Sequence, residues 1–162
     1  MTRDKGPPLV ARVSRLKMLG YLAIGAALTA GAVGMVRDGG IALLIGAPCA
    51  AICGGATLWV IRQMLRTGPV MEIGPEGILW RRWSDSAIPW SAFSRAWVTG
   101  HMVSLWLKDP DAYRSNGVLG RLSPLNKAGG YGDIILLAQG LDCSFDEMAD
   151  AVYRHRPSLF RR

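Results

Sequence analysis

Charged residues are scarce in this sequence, and none occurs in two long stretches of its first half. Only 19% of the 162 residues are Asp, Glu, Lys or Arg, whereas soluble domains average about a quarter. Aromatic residues make up 8%, so the apolar half of the chain is mainly aliphatic, and 20 glycines accompany it. The mean hydropathy is +0.20. This composition excludes a disordered chain and a large multidomain enzyme, and it is typical of a membrane protein.

Cysteine is also rare, with three residues in the chain. Cys49 and Cys53 are spaced one helical turn apart in an apolar stretch, and Cys143 lies about ninety residues further on. This spacing provides neither a disulfide framework nor a paired metal-ligand motif. The sequence therefore predicts no metal site and no cofactor.

Two uncharged runs, residues 18–36 and 41–61, each have the length of a membrane-spanning helix. At 1.5 Å per residue they would extend roughly 28 and 31 Å, close to the thickness of the hydrocarbon core. Neither run has the polar stripe of a core helix in a soluble protein. They predict a transmembrane helical hairpin over residues 18–61. A cleaved signal peptide is the alternative for the first run, although the second run begins only four residues later.

Basic residues flank the predicted hairpin on the side of both chain ends. The segment 1–17 carries five Lys or Arg against one Asp, and Arg62 and Arg66 follow the second run. Because cytoplasmic flanks retain basic residues, we expect both termini in the cytoplasm. Residues 1–17 would then be a basic juxtamembrane arm, attracted to anionic headgroups by roughly 1 kcal/mol per basic residue.

Small residues are frequent in both uncharged runs, at spacings of four that allow close helix packing. Two interpretations remain open: they pack the hairpin on itself, or they form the seam of a homo-oligomer. No Asp, Glu, Lys, Arg or His lies inside either run, so neither an ion path nor a proton relay is indicated. Pro48 predicts a kink in the second helix.

Residues 62–162 consist of short β-prone runs separated by turns, followed by an amphipathic helix. Runs at 70–73 and 78–83 flank a Gly-Pro-Glu-Gly turn that reverses the chain. Ser144 and Glu147 form a capping box that begins a helix ending near His155. The remaining predicted elements are strands at 87–90, 93–99, 102–107 and 132–137, with one or two short helical turns within 108–130.

Five short motifs occur in order along this half of the chain. They are IGPEGI at 73–78, IPW at 88–90 with Phe93, LNK at 125–127, YGDII at 131–135 and SFDEM at 144–148. Together with the two uncharged runs, they resemble a family of small bacterial inner-membrane proteins with two N-terminal spans and a cytoplasmic pleckstrin-homology (PH)-like domain. The resemblance implies an α+β fold: a transmembrane helical hairpin, then a PH-like antiparallel β-barrel over 62–162 that is capped by a C-terminal helix.

Lipid-binding members of the wider PH superfamily hold inositol phosphates with basic residues around a longer first loop. Here the corresponding loop, residues 74–77, is short and acidic, which argues against specific phosphoinositide recognition. Six basic residues remain candidate contacts for lipid headgroups or for a partner: Arg12, Arg15, Lys17, Arg95, Lys108 and Arg121.

The aromatic residues and histidines are assigned mainly to structure. Trp59 fits the aromatic belt of a membrane helix, and most of the five tryptophans at 80–106 are expected to fill the core. His101 and His155 are expected at the solvated surface.

No spacing in the sequence predicts a catalytic site. The glycines at 129–132 lack the Lys-Ser/Thr of a phosphate-binding loop, and Asp109 and Asp111 lack the rest of a calcium loop. No nucleic-acid-binding motif accompanies the basic arm. The first hypothesis is a non-enzymatic, membrane-anchored PH-like interaction module that binds a protein or peptide. The second is a protein that senses or handles anionic lipids. Neither requires a cofactor or nucleic acid.

Overall fold

The structure, a computed structural model, describes residues 6–113, 115 and 118–160, and of residues 118–122 only the backbone. The described residues form two compact units. The helical unit is Val13–Thr67, and the sheet unit combines the described residues before and after it. The protein is therefore a mixed α+β protein in which the helical unit interrupts the chain of the sheet unit.

The helical unit contains the two predicted helices, α1 (Arg15–Asp38) and α2 (Ile41–Met64). Ser14 caps α1, because its side chain accepts a hydrogen bond from the backbone amide of Lys17 at 3.5 Å. Gly39 and Gly40 join the helices with φ values of +71° and +61°. Glycine suits these positions because other residues rarely adopt positive φ.

Glycine allows the two helices to approach each other at two points. A Cβ atom on Gly25 would lie 2.5 Å from Oγ1 of Thr57, and one on Gly46 would lie 2.9 Å from the carbonyl oxygen of Ala32. These glycines therefore pack the hairpin on itself. Added Cβ atoms would meet nothing within 4 Å at four other glycines within the two helices: Gly20, Gly31, Gly34 and Gly55. The homo-oligomer seam stays a prediction.

Both helices are long and apolar enough to cross a membrane. In the most apolar window of each helix only 6% of the residues are buried. A core helix of a soluble protein would have most of that surface covered by its own chain. The exposed apolar surface is consistent with a lipid environment.

The sheet unit contains seven short strands in two antiparallel sheets. The first sheet has the order β1 (Leu9–Ala11), β2 (Met71–Ile73), β3 (Gly77–Trp80) and β4 (Ile88–Pro89). The second has the order β5 (Phe93–Thr99), β6 (Met102–Leu107) and β7 (Ile134–Leu137).

Among the described residues no pairing joins the two sheets into the closed barrel that the sequence resemblance implied. The first sheet ends at β4, which has two residues, one of them Pro89. Proline has no amide hydrogen to donate to a ladder. The chain then enters a 3₁₀ turn, Trp90–Ala92, before β5 begins. This turn separates the strand pairing of the first sheet from that of the second.

Strand β1 comes from the segment interpreted as a basic arm. It pairs antiparallel with β2, with Leu9 opposite Ile73 and Ala11 opposite Met71. Just beyond β1, the amide of Arg12 donates to Oδ1 of Asp142 at 2.7 Å. The amide of Asp142 donates in return to the Arg12 carbonyl at 3.0 Å. The chain therefore leaves the sheet unit from β1 and returns to it at β2, its neighbour in the same sheet.

Two helices complete the sheet unit: α3 (Val118–Ala128) and α4 (Phe145–His155). Helix α3 has 11 residues and is longer than the one or two turns expected. The capping box of α4 is confirmed, since the Glu147 amide donates to Ser144 Oγ at 3.2 Å and the Ser144 amide donates to Glu147 Oε2 at 2.7 Å. A second 3₁₀ turn, Pro157–Phe160, follows α4.

His155 is buried, with 2% of its surface exposed, contrary to the solvated position expected from the sequence. It follows Met148, Ala151 and Val152 at helical spacing on the buried face of α4. Its ring stacks on that of Trp90, with 6.3 Å between the ring centroids. The core also contains aliphatic side chains from both sheets, among them Met71, Ile73, Ile78, Leu105, Ile134 and Leu136.

The close approach of β3 to β4 gives a test of the first sheet. A Cβ atom on Gly77 would overlap the carbonyl oxygen of Ile88 and lie 2.9 Å from Cα of Pro89. We expect Gly77→Ala to lower the free energy of unfolding by about 1–3 kcal/mol, because backbone must move to admit the methyl group. Urea unfolding of the detergent-solubilised protein, followed by tryptophan fluorescence, measures this change.

Gly74→Ala is the matched control, since its Cβ would meet only Cβ of Pro8, at 3.4 Å. Its stability should stay close to that of the original protein. Equal stability of both variants would contradict the close approach of β3 and β4.

Candidate functional site

The second sheet has an outer face on which aromatic and aliphatic side chains surround one arginine. Side chains alternate between the two faces of a strand, so Arg95 and Trp97 of β5 share a face. The register places Trp106 of β6 opposite Arg95. We call this surface the tryptophan face and define it by Arg95, Trp97, Met102, Trp106, Ile135 and Leu137.

The guanidinium of Arg95 lies against two indole rings. Its Cζ atom is 4.7 Å from the centroid of the Trp97 ring and 5.2 Å from that of Trp106. Each cation–π contact contributes about 0.5–1 kcal/mol at an exposed site. Trp97 is 50% exposed, and Arg95 is exposed as well. The rings therefore orient the guanidinium while leaving it open to solvent.

Arg95 makes no ion pair with a carboxylate in the part of the chain that the structure describes. Its planar donor group remains available for a carboxylate or phosphate. Tryptophan and arginine are the residues most enriched at the energetic centres of protein interfaces. The opposite face of the sheet is buried through Ala96, Val103 and Leu105, so the strands form a rigid platform for these side chains.

A second feature of the sheet unit is a cleft of about 320 Å³. We call it the Asp133 cleft. Its lining residues are Trp83, Leu107, Pro110, Asp111, Ser123, Pro124, Lys127 and Asp133.

Asp133 is a buried carboxylate at the wall of this cleft, with 2% of its surface exposed. Its Oδ2 accepts a hydrogen bond from the Leu107 amide at 2.9 Å, and its own amide donates to the Leu105 carbonyl, also at 2.9 Å. The ammonium of Lys127 lies 3.5 Å from Oδ1. The backbone therefore fixes the carboxylate, while a largely exposed lysine balances its charge.

The basic residues that the sequence offered as contacts are dispersed. Of the described ones, only Arg95 belongs to the tryptophan face. Arg12 lies at the end of β1 with its side chain exposed, and Arg15 and Lys17 lie in the exposed first turn of α1.

Lys108 follows β6, two residues after Trp106, and its side chain is exposed. The side chain of Arg121 lies outside the described residues. The role of these basic residues as contacts stays a prediction.

The tryptophans of the sheet unit divide into buried and exposed residues, and the sequence did not predict which would be exposed. Trp80, Trp83 and Trp90 are buried, as expected for core residues. Trp106 is half-buried and Trp97 is exposed. The shared face of Arg95 and Trp97 was visible in their i, i+2 spacing. The sequence did not show whether that face was buried or exposed, because both faces of β5 and β6 carry apolar residues.

Within the described ranges, no group of three His, Cys, Asp or Glu side chains could hold a metal ion. Comparison with known proteins gives no match among family models, curated proteins or solved structures. The resemblance to the inner-membrane family therefore has no support from these comparisons. The structure does contain the two apolar helices and the small sheet unit expected from the sequence.

The anchoring of Asp133 predicts a large effect on stability. We expect Asp133→Ala to lower the free energy of unfolding by about 1–3 kcal/mol, because the buried Leu107 amide loses its acceptor. Asp111→Ala, at the exposed rim of the same cleft, should change stability by less than about 0.5 kcal/mol. Thermal or urea unfolding of the two variants side by side checks this difference, and equal losses would contradict the assigned hydrogen bond.

Proposed function

We propose that this protein is a non-enzymatic, membrane-anchored interaction module at the inner face of a bacterial membrane, and that its PH-like sheet unit binds a protein or peptide partner. The observation that carries the proposal is the exposed Trp97–Arg95–Trp106 stack on the tryptophan face. Membrane anchoring raises the effective concentration of such a module near partners at the same membrane.

The membrane placement is supported by the two long apolar helices and by the pairing of β1 with β2. Strand β1, three residues before α1, and strand β2, six residues after α2, belong to one sheet. If the hairpin crosses the bilayer, both of its ends must therefore lie on the same side. The basic flanks at Arg12, Arg15, Lys17, Arg62 and Arg66 favour the cytoplasmic side.

The PH-like assignment is supported by the order of elements. Seven antiparallel strands in two sheets precede the amphipathic helix α4, which packs near β1 and β2. Helix α3, between β6 and β7, is an addition to that order.

Partner binding is supported by the chemistry of the tryptophan face. Its indole rings supply large apolar area at low cost in conformational entropy, and the oriented guanidinium of Arg95 supplies direction and charge. A partner segment that offers an apolar side chain to Trp97 and a carboxylate to Arg95 would satisfy both.

Membrane topology is the first test. An epitope tag at either end of the chain should be protected from protease in intact spheroplasts and be degraded after detergent is added. The pairing of β1 with β2 requires the two ends of the hairpin to behave alike. Opposite accessibility of the two tags would contradict a hairpin across the membrane, and exposure of both would contradict the cytoplasmic placement.

Site-specific photocrosslinking in cells is the second test. A photoreactive residue at Thr99, exposed at the end of β5 beside the tryptophan face, should give a discrete protein adduct. Adding Arg95→Glu should lower its yield about tenfold, because reversing the charge costs at least 1.4 kcal/mol of binding free energy at an interface centre. The same photoreactive residue at Ser86, in an exposed turn, is the matched control and should give no such adduct.

Adducts with phospholipid alone at position 99 would instead favour an anionic-lipid function. A protein adduct of equal yield at both positions, or one indifferent to Arg95→Glu, would contradict the tryptophan face as the binding surface.

A further inference from the structure

The Asp133 cleft lies outside the tryptophan face, and its size suits a small ligand. Ligand pockets range from about 300 to 1,000 Å³, so a volume of about 320 Å³ fits a single extended side chain or a small molecule. Apolar walls come from Trp83, Leu107, Pro110 and Pro124. Such walls favour an alkyl stem that carries one polar group.

The fixed acceptor in this cleft is the carboxylate of Asp133. One of its oxygens, Oδ2, is held by the Leu107 amide in a buried hydrogen bond of 2.9 Å. The other, Oδ1, faces the Lys127 ammonium at 3.5 Å, which is longer than the roughly 2.7–3.2 Å of an N–H···O hydrogen bond. The buried carboxylate is thus oriented by the backbone and paired only loosely by the lysine.

Lys127 can be exchanged for another cation at this position. Its side chain is 55% exposed, so its ammonium is already partly hydrated, and a ligand cation that takes its place keeps the buried carboxylate compensated. Its flexible stem allows the ammonium to move into solvent while the carboxylate stays in place.

We infer that the Asp133 cleft binds a ligand that carries a guanidinium or primary ammonium group on an alkyl stem. The ligand cation takes the place of the Lys127 ammonium at Oδ1 of Asp133, and Asp111 at the rim adds a second negative charge. The described lining holds two carboxylates against one ammonium, so the site favours a cation and repels an anion. This site does not depend on the partner proposed for the tryptophan face.

The test is a titration of the detergent-solubilised full-length protein with two probes, agmatine and the blocked tripeptide acetyl-Gly-Arg-Gly-amide. Binding is followed by saturation-transfer NMR of the probe. Binding of both probes identifies a site open to small free amines and guanidines. Binding of the tripeptide alone identifies a site for the basic side chain of a polypeptide. Failure of both probes to bind overturns the inference.

The direction in which Lys127→Met changes cation affinity distinguishes a cation site from an anion site. Since the lysine competes with the ligand, its removal should strengthen cation binding at least fivefold. A site for anions would behave in the opposite way, with Lys127 as its ligand. Weaker cation binding by this variant, or tighter binding of acetate or phosphate than of agmatine by the original protein, overturns the inference. Arg156→Met, which removes an exposed positive charge after α4, is the matched control and should leave affinity unchanged.

Two carboxylate variants complete the test. Asp111→Asn, at the exposed rim, should weaken binding about threefold without affecting folding. Asp133→Asn keeps a side-chain oxygen for the Leu107 amide and should weaken binding more than tenfold, with circular dichroism confirming that the variant is folded. Unchanged affinity in the rim variant, together with unchanged affinity in a folded Asp133→Asn protein, would also overturn the inference.

Discussion

Pairing of β1 with β2 is the constraint on which the arrangement of this protein depends. The helical unit occupies the chain between these two strands, so the first sheet is complete only when residues on both sides of the hairpin meet. The two hydrogen bonds between Arg12 and Asp142, one from the Arg12 amide to the Asp142 carboxylate and one from the Asp142 amide to the Arg12 carbonyl, extend this closure to the loop before α4. Both ends of the hairpin are therefore tied to one folded unit, whichever way the helices are oriented in a membrane.

Because side chains alternate along a strand, one face of the second sheet packs into the core and the other carries the tryptophan face. Its inner side chains, such as Val103 and Leu105, are fully buried and hold the strands in register. On the outer side, Trp97 and Trp106 lie against the guanidinium of Arg95. Trp97 is 50% exposed, and tryptophan and arginine are enriched at protein interfaces. This exposed ring and the oriented arginine, which makes no ion pair among the described residues, are the physical basis for proposing that the face binds a partner.

The Asp133 cleft is built around a buried carboxylate instead of exposed aromatic rings. A buried carboxylate is normally hydrogen-bonded, and its charge is paired. Here the Leu107 amide donates to one oxygen at 2.9 Å, and the ammonium of the 55% exposed Lys127 lies 3.5 Å from the other. The geometry of the carboxylate therefore does not depend on the cation beside it. This independence allows a ligand cation to replace Lys127 without rearrangement of the sheet.

The sequence by itself determined the features that have local causes. The length of the two uncharged runs predicted α1 and α2. The Gly-Pro-Glu-Gly turn predicted the β2–β3 hairpin, and the capping box of Ser144 and Glu147 predicted the start of α4. Only the tertiary structure decided what depends on distant partners. Strand β1 has three residues and no local signal, and its partner lies beyond both helices. Burial of His155 and Asp133, exposure of Trp97, and two sheets in place of a barrel likewise follow from which surfaces meet. Periodicity shows that a strand or helix has two faces, but only packing determines which face is covered.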